Sequence, residues 1–295
     1  MYIDRKVSMK KRFKSIICFI LLAVLLIPQS VSAANISTTT LKEIYRYAIR
    51  YADAKPGGIV LAGSSSLSRW TSAPEQIASC GVFSEEQVYN FGISGATFQE
   101  LLDTRYINAI AAAKPSVIVV YGANSLTASR RKASRNRSVA NRATNATIKF
   151  IEKTRQALKR QGVTGTRFLY VSAVKTPFHY KICKGKGYTC NIWKRIDILN
   201  SRMRKYAAAV SYCDYMDTEQ YYYYALPGKK NKSSLRFYLG ADTLQDSTST
   251  AAAKALIRKA AVDPLFAADL RHPSKLAYEL IWSKVAEQAS HLKQI

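Results

Sequence analysis

The chain has 295 residues, 48% hydrophobic and 22% charged, enough for one sizeable core or at most two small ones. Nothing in it is low-complexity or repeats at solenoid periods, which excludes linker-like and repeat architectures. Lysine and arginine number 45 against 19 aspartate and glutamate, net +26, so the surface is either simply solvated and basic or attracts an anionic partner at long range: wall polymer, acidic polysaccharide, anionic lipid or nucleic acid.

The amino terminus reads as a secretory signal peptide over residues 1–33. Lys10, Lys11, Arg12 and Lys14 precede an apolar run over 16–27, and Val31 and Ala33 stand where a cleavage site needs small residues. A retained anchor is the other reading, but the run is shorter than the ~20 residues that span a bilayer. Cleavage removes six Lys/Arg and one Asp and leaves 39 against 18, net +21. The expected location is therefore bacterial and extracellular, secreted or wall-associated, with no membrane span after processing. Of the five cysteines, Cys183 and Cys190 close a short loop and form the expected disulfide. Cys80 and Cys213 are expected to be buried free thiols. No Cys-x-x-Cys is present and the chain has only three histidines, so no zinc pattern appears.

After residue 33, a helix is predicted over 37–54, capped by Thr38, Thr39 or Thr40. It forms an amino-terminal segment (34–57) ahead of the main domain (58–295). Strand one is predicted over 59–62 and a helix from the serines that follow toward 78. Strand two is predicted over 87–91, a helix over 98–113 and strand three over 116–121, a β-branched run suited to burial on both faces. The basic loop 130–137, which includes Arg130 and Arg131, leads into a long helix to about 161. Strand four is predicted over 167–174, a helix over 192–210, strand five over 213–217 and a final helix over 274–292. Strands alternating with helices predict an α/β fold: a three-layer α/β/α sandwich on a five-stranded parallel sheet of flavodoxin-like order 2-1-3-4-5.

In such a sheet, ligands gather at the carboxyl ends of the strands. Strand one ends in Gly63-Ser64-Ser65-Ser66, strand two runs into Gly92-Ile93-Ser94-Gly95, and strand three ends in Gly122-Ala123-Asn124. Each brings a small residue or a hydrogen-bond donor to one edge. Read alone, the serine turn is equally a helix cap. Near the carboxyl terminus stands Asp269-Leu270-Arg271-His272. There an aspartate can fix the tautomer of a histidine, which presents its other nitrogen to a serine.

These four blocks, in this order, resemble those of the SGNH or GDSL-like hydrolases, over nearly all of the chain after residue 57. The resemblance implies a serine esterase working through an acyl-enzyme with no cofactor and no metal. It assigns Ser65 as nucleophile, His272 as base and then acid, Asp269 as its orienter, and Ser65 N–H, Gly95 N–H and the Asn124 amide as the oxyanion hole. Two positions depart from the pattern. Ser64 stands where the family often has Asp, leaving Ser64 and Ser66 as rival nucleophiles. Ser125 stands where Asp often follows Asn, which removes a support for the Asn124 loop. An ordinary α/β-hydrolase elbow fits less well, because Leu67 occupies its final glycine position.

The expected substrate is an O-acyl, especially O-acetyl, ester on extracellular carbohydrate or wall polymer. A lipid ester, or a silent basic binding protein on the same fold, is the alternative. His179, Arg130 and Arg131 are candidate substrate contacts. Trp70 is weighed as packing against a site role, and Tyr221–Tyr224 as a sugar-stacking strip against a partly buried bend. His291 is expected to be solvated. The basic loop has no interleaved aromatics, which argues against a dedicated nucleic-acid platform.

Overall fold

The computed structural model describes residues 36–127, 133–176, 191–224, 265–267, 269 and 271–294. Five parallel strands form one sheet: β1 (Ile59–Gly63), β2 (Val88–Asn90), β3 (Val117–Tyr121), β4 (Arg167–Val171) and β5 (Cys213–Met216), in the order β2-β1-β3-β4-β5. This is the predicted topology. The β1–β3 register pairs Ile59 with Val117 and Gly63 with Tyr121, so the two central strands end level with each other.

Strand alternation produces the three layers. Val60, Ala62, Ile118, Val120, Phe168 and Tyr170 face one core, and Ile59, Leu61, Val117, Val119, Leu169 and Val171 face the other. Every residue of β1 and β3 is buried, as a sheet covered on both faces requires. The first core is closed by α1 (Thr38–Arg50), α4 (Phe98–Leu101), α5 (Thr104–Ala112), α6 (Asn136–Arg160) and α7 (Asn191–Ala209). Over the second lie α2 (Ser65–Ser68), α3 (Ala73–Ala78), α8 (Glu219–Tyr224), α9 (Lys275–Ala277) and α10 (Ser283–His291). No helix among the described residues is long and apolar enough to cross a membrane.

Several predicted boundaries change for identifiable reasons. The cap of α1 is Ser37 rather than a threonine: its Oγ accepts from the Thr40 N–H at 3.1 Å. The predicted helix 98–113 breaks because Asp103 caps a second segment, accepting from the Arg105 N–H at 2.9 Å. Strand four ends at Val171, short of the predicted 174, and Ser172 pairs sideways with Thr218 at 3.1 Å. The predicted final helix is interrupted by a π turn over Tyr278–Trp282. Cys213 is a buried free thiol as expected, with burial pushing it up to about 12. Cys80, expected to be buried, is half-buried, its thiol donating to the Gln76 carbonyl at 3.4 Å. Tyr222 does not form a sugar strip: it is buried in α8 and stacks on Phe266 at 5.3 Å. The signal segment 1–33, Arg130, Arg131, His179, Cys183 and Cys190 lie outside the described residues.

Candidate active site

The site begins where β1 ends. Gly63 has φ +153, and a Cβ there would lie 1.8 Å from the Tyr121 carbonyl oxygen. Only glycine lets the end of β1 run this close to β3. Ser64 N–H then donates to that same carbonyl at 3.0 Å, and α2 starts at Ser65. Because Ser65 is the first helical residue, its N–H has no intrahelical acceptor, and it has no partner among the described residues.

The other blocks converge on this turn. Ile93 N–H donates to the Gly63 carbonyl at 2.8 Å, and the Ser94 and Ser68 hydroxyls pair at 3.0 Å. The loop after β2 is thereby held beside α2. Gly95 is exposed, and its N–H has no acceptor among the described residues. Asn124 heads the 3-10 turn Asn124–Thr127 after β3. Its amide donates one hydrogen to the Ala96 carbonyl at 2.9 Å, and an NH₂ group has a second hydrogen to give.

His272 is buried, with Nε2 2.7 Å from Ser65 Oγ and Nδ1 2.5 Å from Asp269 Oδ2. Asp269 Oδ1 accepts from the His272 and Arg271 N–H groups, each at 3.0 Å, so the loop locks its own carboxylate. Burial opposes ionisation of Asp269. The His272 N–H and ring, the Arg271 N–H and the histidine's charge together outweigh it and bring the carboxyl down to about 2. For His272, burial disfavours the imidazolium, Asp269 favours it, and Arg69 and Arg271 repel it. The net position is below the ordinary 6.5. The imidazole is thus neutral near pH 7 and able to accept a proton.

Of the three serines, only Ser65 meets His272. Ser64 and Ser66 are also buried. Trp70 is packing: it is 1% exposed and meets Trp282 edge-on at 5.1 Å. His291 is exposed, as expected.

Four further residues shape the site without having drawn notice in the sequence. Arg271 donates to Asn124 Oδ1. Arg195, fully buried, donates to the Leu126 carbonyl at 2.7 Å and to Asn136 Oδ1 at 2.8 Å. With Ser125 Oγ donating to Gln99 Oε1 at 2.6 Å, these bonds support the Asn124 turn. Tyr278 donates to the Ser66 carbonyl at 2.7 Å. The π turn that contains it sets this ring and Trp282 beneath α2 together. Arg69 contacts Asp269 Oδ2 at 3.3 Å. The one available signal was the position of Arg271 inside Asp-x-x-His. The other contacts span sequence separations that no motif encodes.

Comparison with known proteins is informative at the level of fold. No family model matches the sequence, and no curated protein sequence matches it. Among solved structures, a GDSL-like lipase from Bacteroides thetaiotaomicron is similar with TM-score 0.52 and 16% identity, over 84% of this chain and 97% of that one. A protein from Bacteroides fragilis assigned as an acylhydrolase is similar with TM-score 0.51 and 14% identity, over 84% and 95%. The chain has the fold of these proteins, a three-layer α/β/α sandwich on a five-stranded parallel sheet.

Proposed function

We propose that the protein is a serine ester hydrolase acting through an acyl-enzyme on Ser65. The observation that carries this reading is the continuous hydrogen-bonded line from Ser65 Oγ through His272 to Asp269, at 2.7 and 2.5 Å, at the carboxyl edge of the sheet. Ser65 Oγ attacks the ester carbonyl carbon as its proton passes to His272 Nε2, and the carbonyl π electrons move onto oxygen. The oxyanion is met by the Ser65 and Gly95 N–H groups and the second hydrogen of the Asn124 amide. Collapse breaks the bond to the alcohol oxygen, which takes the proton from His272. Water then attacks the acyl-serine, giving its proton to His272. The acid departs and Ser65 recovers its proton. Asp269 keeps Nδ1 protonated and stabilises the imidazolium.

The proposed substrates are O-acyl, especially O-acetyl, esters of extracellular carbohydrate or wall polymer. The amino-terminal pattern supports export and the basic composition supports an anionic environment. A panel of 4-nitrophenyl esters from acetate to laurate, alongside acetylated xylan, tests this. Short-chain turnover with acetate release is expected, and preference for laurate would instead favour a lipid ester. On the best ester, Asn124→Ala is expected to lower kcat about a hundredfold, the cost of one oxyanion donor, with the fold retained. An unchanged rate would remove Asn124 from the oxyanion hole.

The pH profile has a defined sign. The base must be neutral to accept the serine proton, so kcat/KM falls as pH drops through the His272 pKa. That pKa is lowered from 6.5, and the midpoint of the acid limb is expected below that value. Asp269→Asn removes an influence that raises the His272 pKa, and is expected to move the midpoint lower still. A limb centred above the ordinary imidazole range would contradict the burial argument.

A further inference from the structure

A cleft of about 560 Å³ is lined by one side of α1 together with Ser68, Arg69 and Ser94, and Ser65 itself is not in its wall. Its wall carries Arg46 and Arg50 from α1, Arg69 from the turn after α2, and one carboxylate, Glu43. Glu43 engages Arg46 at 2.5 Å and Arg69 reaches Asp269 at 3.3 Å. Arg50 lies over the Tyr51 ring at 5.3 Å and has no carboxylate partner among the described residues. All three arginines are largely exposed. Between them the wall is mixed, with the hydroxyls of Thr39, Ser68, Thr71 and Ser94 beside aromatic and aliphatic residues. Guanidinium groups match the planar geometry of carboxylate and phosphate oxygens. The Ser68–Ser94 pair belongs to the cleft wall, and Ser68 is one turn from Ser65 on the same short helix, which is what connects the cleft to the reacting serine.

We propose that this cleft holds the anionic carrier of the ester, a polyol or sugar chain bearing carboxylate or phosphodiester groups, and so delivers its acyl group to Ser65. The proposal rests on the ester-hydrolase reading. It assigns Arg46, Arg50 and Arg69 to substrate selection, and places the selective part of the positive charge in one concavity whose wall includes Ser68, one helical turn from the reacting serine.

The test compares acetylated polygalacturonate and acetylated poly(glycerol phosphate) with neutral acetylated xylan. The wild type is expected to favour at least one polyanion by about tenfold or more in kcat/KM, a modest yield for arginine–oxyanion contacts, with the preference falling as salt rises. The favoured polymer distinguishes carboxylate from phosphodiester. Arg46→Gln/Arg50→Gln is expected to bring the ratio close to one. Lys159→Gln/Arg160→Gln, exposed residues at the end of α6 ahead of β4 and absent from the cleft wall, is expected to leave it in place. No preference in the wild type, or equal losses in the two double variants, would overturn the cleft in favour of undirected charge. Calorimetric binding of the same polymers without acetyl groups separates this from failure of the hydrolase reading. Binding lost only in Arg46→Gln/Arg50→Gln sustains the cleft even if no ester is cleaved, and binding unchanged in that variant rejects it even if esters are cleaved.

Discussion

Ser65→Ala is expected to lower ester turnover by about 10⁴-fold or more and to abolish covalent labelling by a fluorophosphonate, while Ser64→Ala and Ser66→Ala remain labelled. The size of the effect follows from the unit to which Ser65 belongs. A serine hydroxyl is a weak nucleophile until a base takes its proton, and His272 Nε2 bonds Ser65 Oγ at 2.7 Å. Removing the nucleophile leaves only the oxyanion donors and binding to act on the substrate, and losses of this order are typical of such sets. Three adjacent serines make the comparison discriminating. Labelling that survives in Ser65→Ala but disappears in Ser64→Ala would move the nucleophile by one residue and break its link to His272. Absence of labelling in the wild type, with no ester cleaved, would leave a binding protein on a hydrolase fold.

Gly63→Ala is expected to give the largest loss of stability, more than about 3 kcal/mol, from backbone overpacking added to an unfavourable φ. The alanine Cβ would stand 1.8 Å from the Tyr121 carbonyl oxygen. That oxygen also accepts the Ser64 N–H, so relief requires β1 and β3 to separate at the point from which Ser65 is aimed. Both the denaturant midpoint and turnover should fall. Gly95→Ala provides the contrast. Its φ is +83, but nothing lies within 4 Å of the added methyl, so the cost is limited to the left-handed backbone, about 1–2 kcal/mol. Equal midpoints for Gly63→Ala and the wild type would show that the close strand approach contributes nothing.

The parallel sheet was legible because β1 is a short β-branched and apolar run and β3 a nearly continuous β-branched one, each leading into small residues, with helical periodicity in the stretches between. Breaks inside helices were less legible. The cap at Asp103 and the π turn at Tyr278–Trp282 depend on side-chain bonding and on the ring packing of Trp70, Tyr121 and Trp282, neither of which has a periodic signature.

The candidate site divides along the same line. The residue types at the strand ends and the Asp-x-x-His spacing are local, so Ser65, Gly95, Asn124, Asp269 and His272 could be nominated from the linear order of four short blocks. Ser65 is picked from the three serines only by its place in the block that resembles the family's; the contact of its hydroxyl with His272 is tertiary, 207 residues apart in the chain. Support for the Asn124 turn could not be read from the linear order. It comes from Arg195, 69 residues along the chain from Leu126, and Arg271, 147 residues from Asn124, and in the tertiary structure both bond directly to that turn. The arginine-lined cleft arises the same way: α1 and the turn after α2 are separate stretches of chain, and only packing of α1 against the sheet edge brings their charges to one wall.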